Sequence, residues 1–161
     1  GIILFLSGLV AGAGMYYLQV FHYYEDAPIQ DSVRLTGADG AAIALPVRAF
    51  TAIDAESSPI RYRACFETDA SPDSLGAELY PGAAPRRAPF WFECFDADAI
   101  AEAVAAGNAT VFTGQRNREF GIDRVVAITA DGRGYVWHEI NDCGDKAYDG
   151  SPLGEDCPPR D

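Results

Sequence analysis

The chain is poor in the side chains from which catalytic and metal sites are usually built. It contains two His, one Met and a single Lys beside eleven Arg. The sequence has no Cys-x-x-Cys pair and no Cys-x-x-Cys-His motif, which excludes covalent haem attachment on this chain and argues against a zinc site. It also lacks the Gly-x-Ser-x-Gly turn of many serine hydrolases. We therefore expect a protein that is not an enzyme and that holds no cofactor and no metal.

Positive charge is scarce. The chain has 12 Lys and Arg against 24 Asp and Glu, for a formal net charge of −12. A surface of this sign disfavours nucleic acid, and it disfavours anionic lipid as a ligand of the domain. It suits a basic protein partner, of which soluble electron carriers are one class, although a solvated acidic surface explains the same composition.

Charge is missing altogether from residues 2–24, IILFLSGLVAGAGMYYLQVFHYY. As a helix this segment is roughly 34 Å long, slightly more than the roughly 30 Å hydrocarbon core of a bilayer. A buried core helix and a cleaved signal peptide are the alternatives. The small residues around Gly12 resemble a cleavage site, but the apolar run continues for about ten residues beyond them. We predict a transmembrane anchor at 1–24, a linker at 25–31 and one domain at 32–161, which has room for a single core.

The C-terminal end of the predicted helix is rich in aromatic rings, most with a polar tip, which favour the lipid headgroup level. This membrane-interface belt consists of Tyr16, Tyr17, Phe21, Tyr23 and Tyr24. Acidic residues follow, with no Lys or Arg before Arg34. Because positive charge tends to stay cytoplasmic, we expect a cytoplasmic N-terminus and an exported domain.

The N-terminal half of the helix has a face of small side chains: Ser7, Gly8, Ala11 and Gly12. Helices associate in lipid by close backbone approach, and small residues allow it. This face therefore predicts contact with a partner helix, from a second copy or from another integral membrane protein. Gly and Ala are also common in spanning helices that have no partner.

Cys65, Cys94, Cys143 and Cys157 make an even number of cysteines in a chain that we expect to be exported. An oxidising compartment favours two disulfides, for which three connectivities exist. The segment between Cys143 and Cys157 is rich in Gly, Pro and Asp and could hardly fold back unaided, so we pair these two residues. Cys65 then pairs with Cys94.

The domain pattern predicts an α+β fold, an antiparallel sheet with one packed helix and a disulfide-stapled C-terminal loop. One helix is expected over residues 96–108, where Asp96 begins it and Ile100 and Val104 face the core. The expected strands are 32–35, 42–47, a half-buried strand at 60–67, 90–95, 109–113, 122–129 and 135–140. Turns at 37–40 and 131–134 are expected to join hairpins.

Few residues suggest chemistry. His138 alternates onto the face of Val136 and Ile140, so we interpret it as a packed strand histidine rather than a general base. Ser57 is as well explained by a turn as by nucleophilic catalysis. The acids of the last loop could bind Ca²⁺ through oxygen ligands, although their spacing fits no EF-hand. They are Asp142, Asp145, Asp149, Glu155 and Asp156.

Three stretches resemble a family of uncharacterised single-span proteins of photosynthetic and related alphaproteobacteria. They are SSPIRYRACF (57–66), WFECFDA (91–97) and GIDRVVAIT-x-DGRGYVWHEIN-x-CG (121–144). The resemblance implies a bacterial inner membrane with the domain in the periplasm. It supplies no activity and no site residue.

We therefore expect a non-enzymatic accessory subunit of an inner-membrane energy-transducing complex, respiratory or photosynthetic. Its partners would be other integral membrane subunits, lipid and a basic periplasmic protein. An envelope assembly or quality-control factor that binds transiently is the alternative. A membrane-tethered periplasmic hydrolase is the third.

Overall fold

A computed structural model of the chain describes residues 1–154 and 157–159. Its helices are α1 (Ile2–Val20) and α2 (Ala97–Ala105), with a 3-10 turn at Pro72–Ser74. Its strands are β1 (Glu25–Asp26), β2 (Ser32–Thr36), β3 (Ala42–Pro46), β4 (Arg48–Asp54), β5 (Arg63–Glu67), β6 (Ala109–Glu119), β7 (Ile122–Thr129) and β8 (Arg133–Ile140). The predicted α+β class is confirmed.

The strands form two antiparallel sheets. The larger has six strands in the order β1-β4-β5-β8-β7-β6, and β2 with β3 makes a separate hairpin. β1 lies in the segment that we expected to be a linker, where Glu25 pairs with Asp54 and Asp26 with Ile53. The sheet thus begins five residues after α1 ends.

The larger sheet is covered on both faces. The β2–β3 hairpin packs on one face through Val33, Leu35 and Leu45. The other face is covered by α2 and by the loop before it, with Phe92, Phe95 and Ile100 around the buried Trp137. The domain therefore has three layers, and each strand of the sheet centre must be apolar on both sides.

This layering corrects the prediction of a half-buried strand at 60–67. β5 starts at Arg63 and is buried on both faces, with Ala64 and Phe66 beneath the hairpin and Cys65 beneath the α2 layer. Even the charged Arg63 is only 3% exposed.

The prediction of a strand at 90–95 is wrong. This segment is a series of turns, in which the Phe92 amide donates to the Pro89 carbonyl at 3.0 Å and the Phe95 amide to the Phe92 carbonyl at 3.3 Å. Two of its aromatic residues, Phe92 and Phe95, are buried at 8% and 4% exposed, whereas Phe90 is 69% exposed. The segment is a loop that lies over the sheet instead of joining it.

The strand β4 was not predicted. A bulge between Arg48 and Thr51 interrupts its pairing with β5, and Ala49 has a positive φ of 51°. The bulge breaks the two-residue alternation from which a strand is recognised. β6 is also longer than predicted, because its polar second half continues to Glu119 through two register shifts.

Local signals predicted other elements well. The Asp96 carboxylate caps α2, accepting from the amides of Asp98 and Ala99 at 3.1 Å. β7 has the predicted bounds, Ile122–Thr129. The structure also contains the disulfides Cys65–Cys94 and Cys143–Cys157. The first ties β5 to the loop before α2, and the second closes the irregular C-terminal segment.

Candidate functional site

α1 is long and apolar enough to cross a membrane, with a mean hydropathy of 1.6 over Ile2–Val20. None of its residues, all of which the structure describes, is buried. A Cβ atom built on Gly8, Gly12 or Gly14 meets nothing within 4 Å. The Ser7 hydroxyl donates to the Leu4 carbonyl at 3.0 Å, so it is satisfied inside the helix. The small-residue face of Ser7, Gly8, Ala11 and Gly12 is thus open to another molecule.

The membrane-interface belt joins α1 to the domain. Phe21 lies 5.8 Å from the Phe90 ring and 6.5 Å from the Trp91 ring, between centroids. The Trp91 indole nitrogen donates to the Val20 carbonyl at 2.8 Å. The Tyr24 ring also meets Trp91 edge to face. Phe90 and Trp91 were assigned to a strand by the sequence, so their place beside the belt was missed.

Arginines adjoin the same end of the helix. The Arg61 guanidinium carbon lies 5.2 Å from the Tyr23 ring centroid, and the group donates to the Tyr24 hydroxyl at 3.1 Å. The Arg63 guanidinium is buried and donates to backbone carbonyls, including those of Arg86 and Arg87. Burial lowers the pKa of Arg63 to about 10. Arg63 thereby holds the Arg86–Arg87 segment against β5.

A cleft of about 440 Å³ opens between the β2–β3 hairpin and the larger sheet. Three arginines line it, Arg34 from β2, Arg118 from β6 and Arg124 from β7, and we call it the arginine cleft. Arg34 and Arg118 are exposed, whereas Arg124 is partly buried. The apolar lining of the arginine cleft comes from Val33, Ile43, Phe50, Tyr62 and Val136.

His138 lies behind Arg124 and makes two directional contacts. Its Nδ1 lies 2.5 Å from the Pro59 carbonyl oxygen, and the Arg124 Nε–H group points at its Nε2 at 3.1 Å. A carbonyl only accepts and a guanidinium only donates. His138 is therefore the neutral tautomer with its proton on Nδ1, and Nε2 is the acceptor.

Burial supports the same protonation state. His138 is 4% exposed and stacks on Tyr62 with ring centroids 5.1 Å apart. Burial lowers the pKa of His138 to about 4, and the charges of Arg124 and Arg118 add to this effect. Both ring nitrogens are engaged, so neither is available as a general base while these contacts hold.

The acids of the last loop do not form a metal cluster within the described residues. Among residues 1–154 and 157–159, no three His, Cys, Asp or Glu side chains are grouped so as to hold a metal ion. Asp142 pairs with Arg116 at 3.4 Å, and Asp149 accepts from Ser151. Glu155 and Asp156, the other two candidates for Ca²⁺, lie outside the described residues.

Sequence reasoning missed the arginine cleft. Arg34, Arg118 and Arg124 belong to three strands and have no regular spacing, so only the packing of the hairpin on the sheet brings them together. The sequence offered no signal for the cleft, since Arg118 stands beside Glu119 and Arg124 beside Asp123.

The comparisons with known proteins identify a family and no activity. A family model described as a family of unknown function, DUF6446, matches residues 33–158. No curated protein and no solved structure matches the chain. The matched range contains the whole arginine cleft except Gln30 and Ser32 and begins after α1.

Proposed function

We propose that this chain, which belongs to the DUF6446 family, is a non-enzymatic accessory subunit of a membrane protein complex. In the most specific form of this proposal, the complex is a respiratory or photosynthetic energy-transducing complex of a bacterial inner membrane. The N-terminus of the chain is cytoplasmic and the domain lies in the periplasm.

The observation that carries this proposal is that no residue of α1, Ile2–Val20, is buried, although the carbonyl of its last residue accepts from Trp91. A helix that served only as a core element would be covered by the rest of its chain. In a bilayer, its Leu, Ile and Phe side chains are covered by lipid, while the small-residue face allows a second backbone to approach closely. The face supports a helix partner in addition to lipid.

The position of the domain is supported by two features. Both disulfides suit an oxidising compartment. The contact of Trp91 with Val20 places an amphipathic ring at the end of the helix, where such rings favour the membrane interface. The domain would then stand directly on the outer surface of the inner membrane.

The test is a pair of substitutions, one on the small-residue face of α1 and one on the opposite side of the helix. Gly12→Ile fills the small-residue face, and Ala13→Ile, about 170° around the helix from the centre of that face, is the matched control. A Cβ atom at Gly12 meets nothing within 4 Å, and Ala13 is exposed. Each tagged variant is expressed in the native organism, extracted in mild detergent and compared with the wild type by quantitative mass spectrometry of co-purified proteins.

We expect Gly12→Ile to lose a stoichiometric membrane partner that Ala13→Ile retains. Unchanged co-purification of Gly12→Ile contradicts the helix contact. Partners that are recovered only in substoichiometric amounts from the wild type favour the transient assembly factor instead.

A further inference from the structure

We infer that the arginine cleft binds a small organic phosphate, in which the phosphate group is attached to an apolar group. This site lies in the domain, and it does not depend on whether α1 has a helix partner.

Three like charges line the cleft, and no side chain of the opposite charge in the described part of the chain lines it with them. The ion pairs within residues 1–154 and 157–159 engage Arg48, Arg116 and Arg133, and none engages the arginines of the cleft. No acidic side chain among the described residues lines the cleft. Burial lowers the pKa of Arg124, and the positive charge of Arg118 lowers it further. The negative charge of Asp54, which does not line the cleft, raises it. A bound anion would relieve the mutual repulsion of these groups.

Arg124 is held in place for such a ligand. Its Nε–H is used by His138, and its guanidinium carbon lies 4.2 Å from the Tyr62 ring centroid. Its two terminal nitrogens have no hydrogen-bond partner among the described residues. A guanidinium that is fixed on one side and open on the other can donate two parallel hydrogen bonds to a carboxylate or phosphate.

The rest of the lining defines the remainder of the ligand. Apolar side chains, including Phe50, Val136 and the Tyr62 ring, lie beside the guanidinium groups. The volume of about 440 Å³ is within the range of small-molecule sites, roughly 300–1,000 Å³. An inorganic ion alone would leave the apolar part of the cleft uncovered, so an organic anion fits better.

The test uses the full chain in nanodiscs of neutral phosphatidylcholine and isothermal titration calorimetry. The probes are inorganic phosphate, phenyl phosphate and the short-chain lipid dihexanoyl phosphatidylglycerol, with benzyl alcohol as the uncharged control. We expect phenyl phosphate or the short-chain lipid to bind more tightly than inorganic phosphate, and benzyl alcohol not to bind. The tighter of the two organic phosphates indicates whether the natural ligand is a soluble anion or a lipid headgroup.

Arg34→Gln and Arg118→Gln test the site without disturbing the fold, because both side chains are exposed. Each removes one charged donor, so each should weaken the binding of the organic phosphates about tenfold. Arg48→Gln is the matched control, since Arg48 pairs with Glu67 and Asp69 away from the cleft. Failure of both organic phosphates to bind at millimolar concentration overturns the inference, as does equal affinity in all four proteins.

Discussion

His138 makes the stability of the domain sensitive to mild acid. Its native pKa is about 4, against an ordinary value of 6.5, because the ring is buried beside Tyr62 and Arg124. The unfolded chain takes up a proton near pH 6.5, whereas the native state resists protonation until about pH 4. Stability from this group is therefore present above pH 6.5, is lost as the pH falls from 6.5 to 4, and changes little below that.

The size of the effect follows from the two pKa values. Each unit of difference corresponds to about 1.4 kcal/mol. The free energy of unfolding should fall by about 2 kcal/mol between pH 7 and pH 5, and by about 3 kcal/mol by pH 4. For a domain of this size, the first figure lowers the Tm by roughly 5–10 °C.

The assay is thermal unfolding of the full chain in mild detergent at pH 7 and pH 5, for the wild type and His138→Gln. Glutamine keeps one donor and one acceptor but does not titrate, so the variant should lose most of the acid-induced drop in Tm, whatever its stability at pH 7. His22→Asn, which removes the other His, should behave like the wild type. Asp131 and Asp149 have lowered pKa values, so they take up protons below the pH range of 7 to 5 that the assay covers. The reasoning is refuted if His138→Gln keeps the full drop, or if an NMR titration of His138 gives a pKa of 6 or higher.

Three further predictions concern the fold. Gly134→Ala should cost about 1–3 kcal/mol in urea unfolding, because a Cβ there would lie 2.0 Å from the ring of the buried Phe66; an unchanged midpoint would contradict this packing. Asp96→Ala removes the cap of α2 and should lower the free energy of unfolding by about 1 kcal/mol in the same assay. A free energy of unfolding equal to that of the wild type would exclude the capping role. Replacing Cys143 and Cys157 together by Ala should cost about 3 kcal/mol in the chain-entropy model, and non-reducing peptide mapping of the wild type should recover these two residues in one linked pair rather than in pairs with other cysteines.

The parts of the fold that could be predicted are those with local signals. Asp96 starts α2 because its carboxylate reaches amides only two and three residues away. β7 was predicted with its bounds because Gly121 precedes it and the turn at 131–134 follows it. These contacts join residues that are close in the sequence, so the bounds of α2 and β7 could be predicted from the sequence.

The parts that failed depend on distant contacts. The apolar loop at 90–95 resembles a strand until its burial over Trp137 is known, and β4 is hidden by its bulge. The arginine cleft depends on how the β2–β3 hairpin packs on the sheet. The neutral state of His138 depends on Pro59, which is far from it in the sequence.

The membrane-interface belt could be predicted in part. Its rings could be recognised from composition at the end of an apolar run. That Trp91 would donate to Val20 could not be predicted, because the two residues are 71 positions apart. The contact nevertheless links the end of α1 to the domain.

The most direct test of the account is photo-crosslinking from α1 in intact membranes. A diazirine amino acid is placed at Gly12 in one variant and at Ala13, on the opposite side of the helix from the small-residue face, in another, and the products are identified by mass spectrometry. The account predicts a discrete adduct with another membrane protein from position 12 and lipid adducts alone from position 13. Lipid adducts alone from both positions, or the same protein adduct from both, would contradict a partner on the small-residue face.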